Sequence, residues 1–155
     1  MSYKFRFSLI ALTIIFVVTL QIKAQLDSTF GIIGVVSTDT NGNDVPLETF
    51  VLPDGKILII SSSSNPPGGY NYYFVRYNAD GSLASAFGSG GKIQLPIPFT
   101  ASNRYITKVL RQPDGKIILV GRDNNDGIVV RLNENGTLDT TFSGDGIHRP
   151  NISIN

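Results

Sequence analysis

His148 is the first residue to consider for chemistry, because it is the only histidine in a chain of 155 residues that has no cysteine and no tryptophan. Acid–base catalysis by a histidine needs a partner group positioned beside it. The sequence offers no set of nucleophile, base and orienting group, so it predicts no catalytic residue and no cofactor. We expect His148 to be a surface residue.

Aspartates recur beside glycines, at Asp54, Asp80 and Asp114 and in the acidic loop 143–146. Ca²⁺ takes several hard oxygen ligands, so such loops invite a calcium hypothesis. None of them matches the full EF-hand spacing with its closing glutamate. Asp–Gly pairs are also ordinary turn formers, and we therefore predict turns and no metal ligands.

Arg76 and Arg131 lie inside apolar stretches and must find partners, because burying an unpaired charge is very costly. One interpretation is contact with a ligand in a central channel. The other is a repeated structural ion pair with a carboxylate or with turn carbonyls, and the recurrence of the arginine favours it. Asp27 and Asp139 are candidate partners, whereas Ala84 stands at the same place in the middle copy.

A long polar connection, residues 61–71, precedes Arg76 and is five residues longer than the one that precedes Arg131. Loops on a rigid scaffold often carry function. The tyrosines at its end could stack on sugars or peptides, and they form the candidate binding loop: Tyr70, Tyr72 and Tyr73. The alternative is a tolerated surface insertion, because lengthening a loop costs little.

These residues belong to an internal repeat, which is the strongest signal in the sequence. Its landmark phenylalanines are 57 and then 55 residues apart: Phe30, Phe87 and Phe142. A glycine follows each of them four residues later: Gly34, Gly91 and Gly146. A Pro-Asp-Gly-Lys turn occurs twice, with Asp54 and Gly55 in one copy and Asp114 and Gly115 in the other.

The repeat predicts an all-β fold of tandem four-stranded, blade-like antiparallel sheets that form a partial, open β-propeller-like array. We place a first unit at residues 25–91, a second at 92–146 and the start of an incomplete third at 147–155. In each unit the first strand follows the landmark glycine, as in residues 92–95. Strands 57–60 and 117–120 are apolar without alternation, which predicts burial on both faces. A two-sheet sandwich with an internal duplication is the alternative.

The first 24 residues have the pattern of a secretory signal peptide. Lys4 and Arg6 precede an apolar run of 14 residues, which is shorter than the ~20 that a membrane span needs. Ala24 offers a cleavage site before Gln25. The sequence thus predicts a secreted, periplasmic or cell-surface protein with no membrane contact after cleavage. Cleavage would remove Lys4, Arg6 and Lys23 and leave ten basic and twelve acidic residues in the mature chain. This balance argues against nucleic-acid binding.

The combination of the Leu-Asp-x-Thr-Phe motif, the Pro-Asp-Gly-Lys-Ile turn and a Val-x-Arg strand before an Asn-Gly turn resembles the delta-60 repeat of bacterial exported proteins. The resemblance covers residues 26–148 and implies propeller-like blades. It supplies no catalytic motif. Ala84 and Ala86 depart from the pattern in the middle copy, and Ser143 replaces the glycine found at Gly31 and Gly88.

Our leading functional hypothesis is a non-enzymatic, exported or cell-surface module for scaffolding or binding, with an unknown surface protein or glycan as partner. The alternative is a fragment of a propeller-type enzyme, a hydrolase or lactonase, with a metal in a central channel. Two units would leave apolar faces and strand edges open. We therefore expect either self-association or further repeats in a longer chain.

Overall fold

The computed structural model describes residues 25–40, 42–64, 70–97 and 104–150, and the predicted signal peptide lies outside these residues. The described residues form eight β-strands and no helix. The strands are β1 Asn43–Val51, β2 Ile57–Ser64, β3 Tyr70–Tyr77, β4 Lys92–Gln94, β5 Arg104–Arg111, β6 Ile117–Asp123, β7 Asp126–Leu132 and β8 Ile147–His148. No membrane-spanning helix therefore occurs among the described residues.

The strands form two four-stranded antiparallel sheets, each a simple meander in the order of the sequence. The first sheet contains β1 to β4 and the second contains β5 to β8. The predicted all-β architecture of tandem, blade-like sheets is confirmed.

Matching local features recur in the two sheets. Glycine at the end of each Pro-Asp-Gly turn has a positive φ, +79° at Gly55 and +88° at Gly115. A bulge interrupts the pairing of the first two strands at the same repeat position, between Pro46 and Glu48 and between Ile106 and Lys108. Because a bulge bends and twists its strand, the shared position gives both sheets the same local distortion.

The assignment of strands to units differs from the prediction in one respect. Residues 92–95 and the segment from Ile147 were expected to open new units. Instead, β4 pairs with β3 and completes the first sheet, and β8 pairs with β7 and completes the second. The sequence gives no direct sign of this, because a short strand after a tight loop can pair backwards as easily as forwards. Each sheet thus ends after the landmark glycine.

The core lies between the two sheets. Leu58, Ile60 and Phe74 of the first sheet are fully buried, as are Ile117 and Leu119 of the second. The prediction that strands 57–60 and 117–120 are buried on both faces is wrong, because the sheets stack only once. Their outward-facing apolar residues are half-buried: Ile57, Ile59, Ile118 and Val120.

The polar connection before Arg76 is also shorter than predicted. Ser61, Ser62 and Ser63 are buried residues of β2, paired with β1 on one side and β3 on the other. Small hydroxyl side chains suit this crowded central strand, where sequence composition alone suggested a loop. Tyr70, Tyr72 and Tyr73 accordingly lie in β3 and not in a loop.

Candidate functional site

Arg131 is held by a cluster of three side chains that we call the arginine cage: Asp139, Thr141 and Phe142. Its Nε donates to Asp139 Oδ2 at 2.7 Å, and its Nη2 donates to Thr141 Oγ1 at 3.0 Å. The guanidinium lies 4.8 Å from the centroid of the Phe142 ring. Asp139 is itself fixed by Thr141, whose backbone N–H and hydroxyl both donate to Oδ1.

These hydrogen bonds lower the pKa of the Asp139 carboxyl. The Thr141 hydroxyl is the main cause, and Arg131 contributes through its charge and its hydrogen bond. A carboxylate that stays ionised and is engaged on both oxygens holds the loop in place. The structure therefore uses the Arg131–Asp139 pair, one of the two predicted pairings, as a structural contact.

Arg76 stands at the same repeat position but has no aspartate in its own loop, because Ala84 replaces it. Its guanidinium lies 3.9 Å from the centroid of the Phe87 ring. Its Nη2 reaches the second sheet, where it donates to the backbone oxygen of Glu134 at 3.0 Å and lies 3.5 Å from the Glu134 carboxylate. Arg111 shares this carboxylate at 3.0 Å. Sequence reasoning missed Glu134, although the missing aspartate at Ala84 was the signal that another carboxylate must serve Arg76.

The turn aspartates serve their own turns. Asp54 accepts from Lys56, and Asp114 accepts from Lys116 in the same geometry. The hydrogen bond from the lysine side chain is the main cause of the lowered pKa of each carboxyl. Among the described residues no group of three or more His, Asp or Glu side chains could hold a metal ion.

The landmark glycines and phenylalanines close each unit. The N–H of Gly91 donates to the Phe87 oxygen at 2.9 Å, and Gly146 does the same to Phe142 at 2.7 Å. Both glycines have φ of +89°, a backbone conformation that costs a side-chain-bearing residue about 1–2 kcal/mol. The structure thus gives these repeated residues a role in loop geometry.

His148 is exposed at the end of β8. Its Nδ1 lies 3.4 Å from the Ser143 hydroxyl, and its ring meets the Phe142 ring edge-on at 6.5 Å. No acidic side chain is hydrogen-bonded to it among the residues that the structure describes.

The three candidate tyrosines lie on two faces of β3. Tyr70 and Tyr72 point towards the second sheet, whereas Tyr73 points the other way and lies 3.5 Å from Gln94. Tyr72 is buried between the sheets and its hydroxyl oxygen accepts from the Ile106 N–H at 2.9 Å. Burial raises the pKa of Tyr72. The three side chains therefore do not form one patch.

Tyr70 and Tyr72 instead form a groove with the second sheet, which we call the tyrosine groove. It has a volume of about 290 Å³. Tyr70 and Tyr105 are its exposed aromatics, at 44% and 38% exposure. Its lining residues carry no charge: Val45, Ser62, Tyr70, Tyr72, Tyr105 and Ile106. Tyr105 was missed from the sequence, because only stacking of the sheets brings β5 beside β3.

Comparison with known families supports the architecture. Residues 52–87 and 112–142 match a family model described as a beta-propeller domain of unknown function (DUF5122). Each matched segment runs from the Pro-Asp-Gly turn through two long strands to the landmark phenylalanine. Searches among curated proteins and among solved structures gave no match. The chain is therefore similar to this beta-propeller family over two segments, one in each of its two blade-like sheets.

Proposed function

We propose that this protein is an exported, non-enzymatic β-repeat module that binds a neutral glycan in the tyrosine groove. The observation that carries the proposal is the convergence of Tyr70 and Tyr105 from different sheets on one uncharged groove. Aromatic rings offer a flat apolar face together with a polar hydroxyl. A sugar ring is complementary to both, because its C–H face packs on an aromatic ring and its hydroxyls bond to polar edges.

The groove is also built to keep its shape. Tyr72 lies at its base, buried between the sheets and hydrogen-bonded to the backbone of β5. Because a preformed site loses less entropy on binding, a rigid base favours recognition of a weakly interacting ligand such as a sugar.

The charged residues support a binding role over catalysis. Asp54, Asp114 and Asp139 each hold a turn or a loop, and hydrogen bonds lower the pKa of each carboxyl. A general acid needs a carboxyl whose pKa is raised towards the working pH. The enzyme alternative has no specific observation in its favour.

Export belongs to the same proposal. The short apolar run after Lys4 and Arg6, followed by Ala24, is the pattern of a cleavable signal. Intact mass of the exported protein tests it, with cleavage before Gln25 as the expected result. Retention of Met1 would contradict it.

Titration of residues 25–155 with neutral oligosaccharides tests the binding site, with cellohexaose, xylohexaose and chitohexaose as probes. We expect one of them to bind, and Tyr70→Ala and Tyr105→Ala each to weaken that binding by about tenfold or more. Tyr73→Ala is the matched control, because it removes the same ring from the opposite face of β3 and should leave affinity unchanged.

Two outcomes would overturn the proposal. One is the absence of binding by any of these probes. The other is turnover of a probe that a chelator abolishes, which would support the metal-dependent enzyme instead.

A further inference from the structure

The arm that precedes the first sheet, residues 25–40, contains a third copy of the loop that closes each unit. The N–H of Phe30 donates to the Asp27 oxygen at 3.0 Å, and the N–H of Gly34 donates to the Phe30 oxygen at 2.9 Å. The same two bonds occur from Phe142 to Asp139 and from Gly146 to Phe142, at 2.9 and 2.7 Å. The arm therefore has the fold of a closing loop. In the two sheets such a loop follows β3 or β7, whereas among the described residues no equivalent strand precedes the arm.

The arm also carries the arginine cage without an arginine. Asp27 Oδ1 accepts from the backbone N–H and the hydroxyl of Thr29 at 2.9 and 2.6 Å, as Asp139 Oδ1 does from Thr141. In the second sheet the other carboxylate oxygen, Asp139 Oδ2, accepts a hydrogen bond from Arg131 Nε. Within the described ranges no cation pairs with Asp27. Asp27, Thr29 and Phe30 thus match a site that binds a guanidinium elsewhere in the same molecule.

Exposed apolar residues line a groove together with Thr29 of this empty cage. Ile32 and Ile33 are 80% and 75% exposed, and Val35 is 53% exposed. The groove has a volume of about 750 Å³ and continues to Tyr77 of β3 and to Leu83 in the loop that follows β3. By the repeat, Val35 corresponds to Ile147, which pairs with Val130 in β7, belongs to the core between the sheets and is only 6% exposed. Among the residues that the structure describes, no strand pairs with Val35 as β7 pairs with Ile147.

We propose that the arm binds strand β7 of a second copy of this chain and takes the place of that copy's own closing loop and β8. Arg131 of the second copy would then enter the cage of Asp27, Thr29 and Phe30. The repeat equivalence sets the pairing: Val35 opposite Val130, and Val36 opposite Val129. This interaction is independent of the tyrosine groove, which lies between the two sheets.

Two observations select β7 as the occupant. The arm sequence Leu-Asp-Ser-Thr-Phe matches the loop of the second sheet, Leu-Asp-Thr-Thr-Phe, whereas the loop of the first sheet lacks the aspartate. In addition, among the described residues β8 pairs with β7 through two residue pairs, whereas β4 pairs with β3 through three. Within the described residues, release of the closing segment of the second sheet therefore breaks fewer strand pairs than release of the closing segment of the first.

Two aspartates then compete for one arginine, and this gives a test by sedimentation of residues 25–155. We expect concentration-dependent association of the native sequence. Asp27→Ala should weaken it by about tenfold or more, because it removes the acceptor in the arm. Asp139→Ala should strengthen it, because it frees Arg131 from its own cage. Asp54→Ala removes another exposed turn carboxylate and should leave the association unchanged.

A monomer at every concentration, or equal association of the native protein and Asp27→Ala, would overturn the proposal. If Asp139→Ala fails to fold, a disulfide test replaces it. The chain has no cysteine, so every disulfide formed in an oxidised mixture of isotope-labelled Val36→Cys and unlabelled Val129→Cys joins introduced cysteines. We expect the intermediate mass of a labelled–unlabelled disulfide heterodimer to exceed the two homodimers, whereas labelled Val36→Cys mixed with unlabelled Leu110→Cys should show no such excess. Equal yields from the two mixtures would reject the pairing of the arm with β7.

Discussion

Arg76 and Arg131 occupy the same repeat position and draw their carboxylates from different places. Arg131 uses Asp139 of its own loop, and Arg76 uses Glu134 of the neighbouring sheet. The second solution ties the two sheets together and leaves Nε of Arg76 without a hydrogen-bond partner among the described residues. Exchange of one aspartate for Ala84 thus converts a contact within a sheet into a contact between sheets.

The carboxyl of Asp139 in the arginine cage makes the stability of the protein depend on pH. The pKa of Asp139 is lowered in the folded protein, so the unfolded chain binds more protons as the pH falls below about 4. The stabilisation from Asp139 is present above that range and is lost as the pH falls through the lowered pKa of the folded state. We expect the melting temperatures of the native protein and Asp139→Asn to differ at pH 6 and to converge towards pH 3. A difference that stays constant with pH would contradict this role.

The stacking of the sheets predicts different costs for matched core positions. Leu58 and Ile118 are equivalent in the repeat, but Leu58 is fully buried against the second sheet and Ile118 faces outwards, half-buried. Leu58→Ala should lower the free energy of unfolding by about 2–5 kcal/mol, the range for truncation of a buried leucine. Ile118→Ala should cost clearly less. Denaturant titration at low protein concentration, where association is absent, measures both. Equal costs would mean that Ile118 is covered in the monomer.

At the scale of elements, the two Pro-Asp-Gly turns are alike in backbone and differ in neighbours. A Cβ added at Gly55 would meet nothing closer than Ala79 at 3.7 Å, whereas one at Gly115 would lie 2.7 Å from Glu134 Oε2. Gly55→Ala should therefore cost only the backbone strain, about 1–2 kcal/mol.

Gly115→Ala should cost more, because it also moves the carboxylate that serves Arg76 and Arg111. Chemical denaturation gives both values. Adding Glu134→Ala to each glycine variant is the control, and it should remove the difference between them. If the difference persists in the Glu134→Ala background, the carboxylate is not its cause.

Much of the element structure could be predicted from the sequence. The Pro-Asp-Gly turns, the long strands that flank them and the arginines within β3 and β7 follow from local rules on turns and alternation. Local rules do not predict which strand a short strand pairs with, because the pairing depends on how the chain reverses after the landmark glycine. For the same reason β4 and β8 were assigned to the wrong sheet. The tyrosine groove could not be predicted from the sequence either, since Tyr105 lies near Tyr70 only when the two sheets stack.

At the scale of the whole molecule, the two sheets share one core and should unfold together. Buried residues of both sheets form a single cluster that includes Leu58, Phe74, Leu119 and Val130. Arg76 adds a polar contact across the same interface. Either sheet alone would expose its inner apolar face to water, so we expect no intermediate in which only one sheet is folded.

Urea unfolding of residues 25–155 tests this expectation. Far-UV circular dichroism reports the strands, with the spectrum of an all-β protein. Fluorescence of the five tyrosines within residues 25–155, in a chain without tryptophan, reports packing. The two transitions should coincide. Two separate midpoints, or a substantial helical signal, would contradict the shared core or the all-β fold respectively.

The offset between repeat and sheet, in which β4 and β8 follow the landmark glycines yet complete the preceding sheets, bears on how such an array can grow. An inserted copy cut at the landmark glycine would deliver its leading strand to the sheet before it and its next three strands to a new sheet. The following copy would then supply the fourth strand of that new sheet. Tandem duplication of the gene segment could therefore lengthen the array at any junction without leaving a broken sheet inside it.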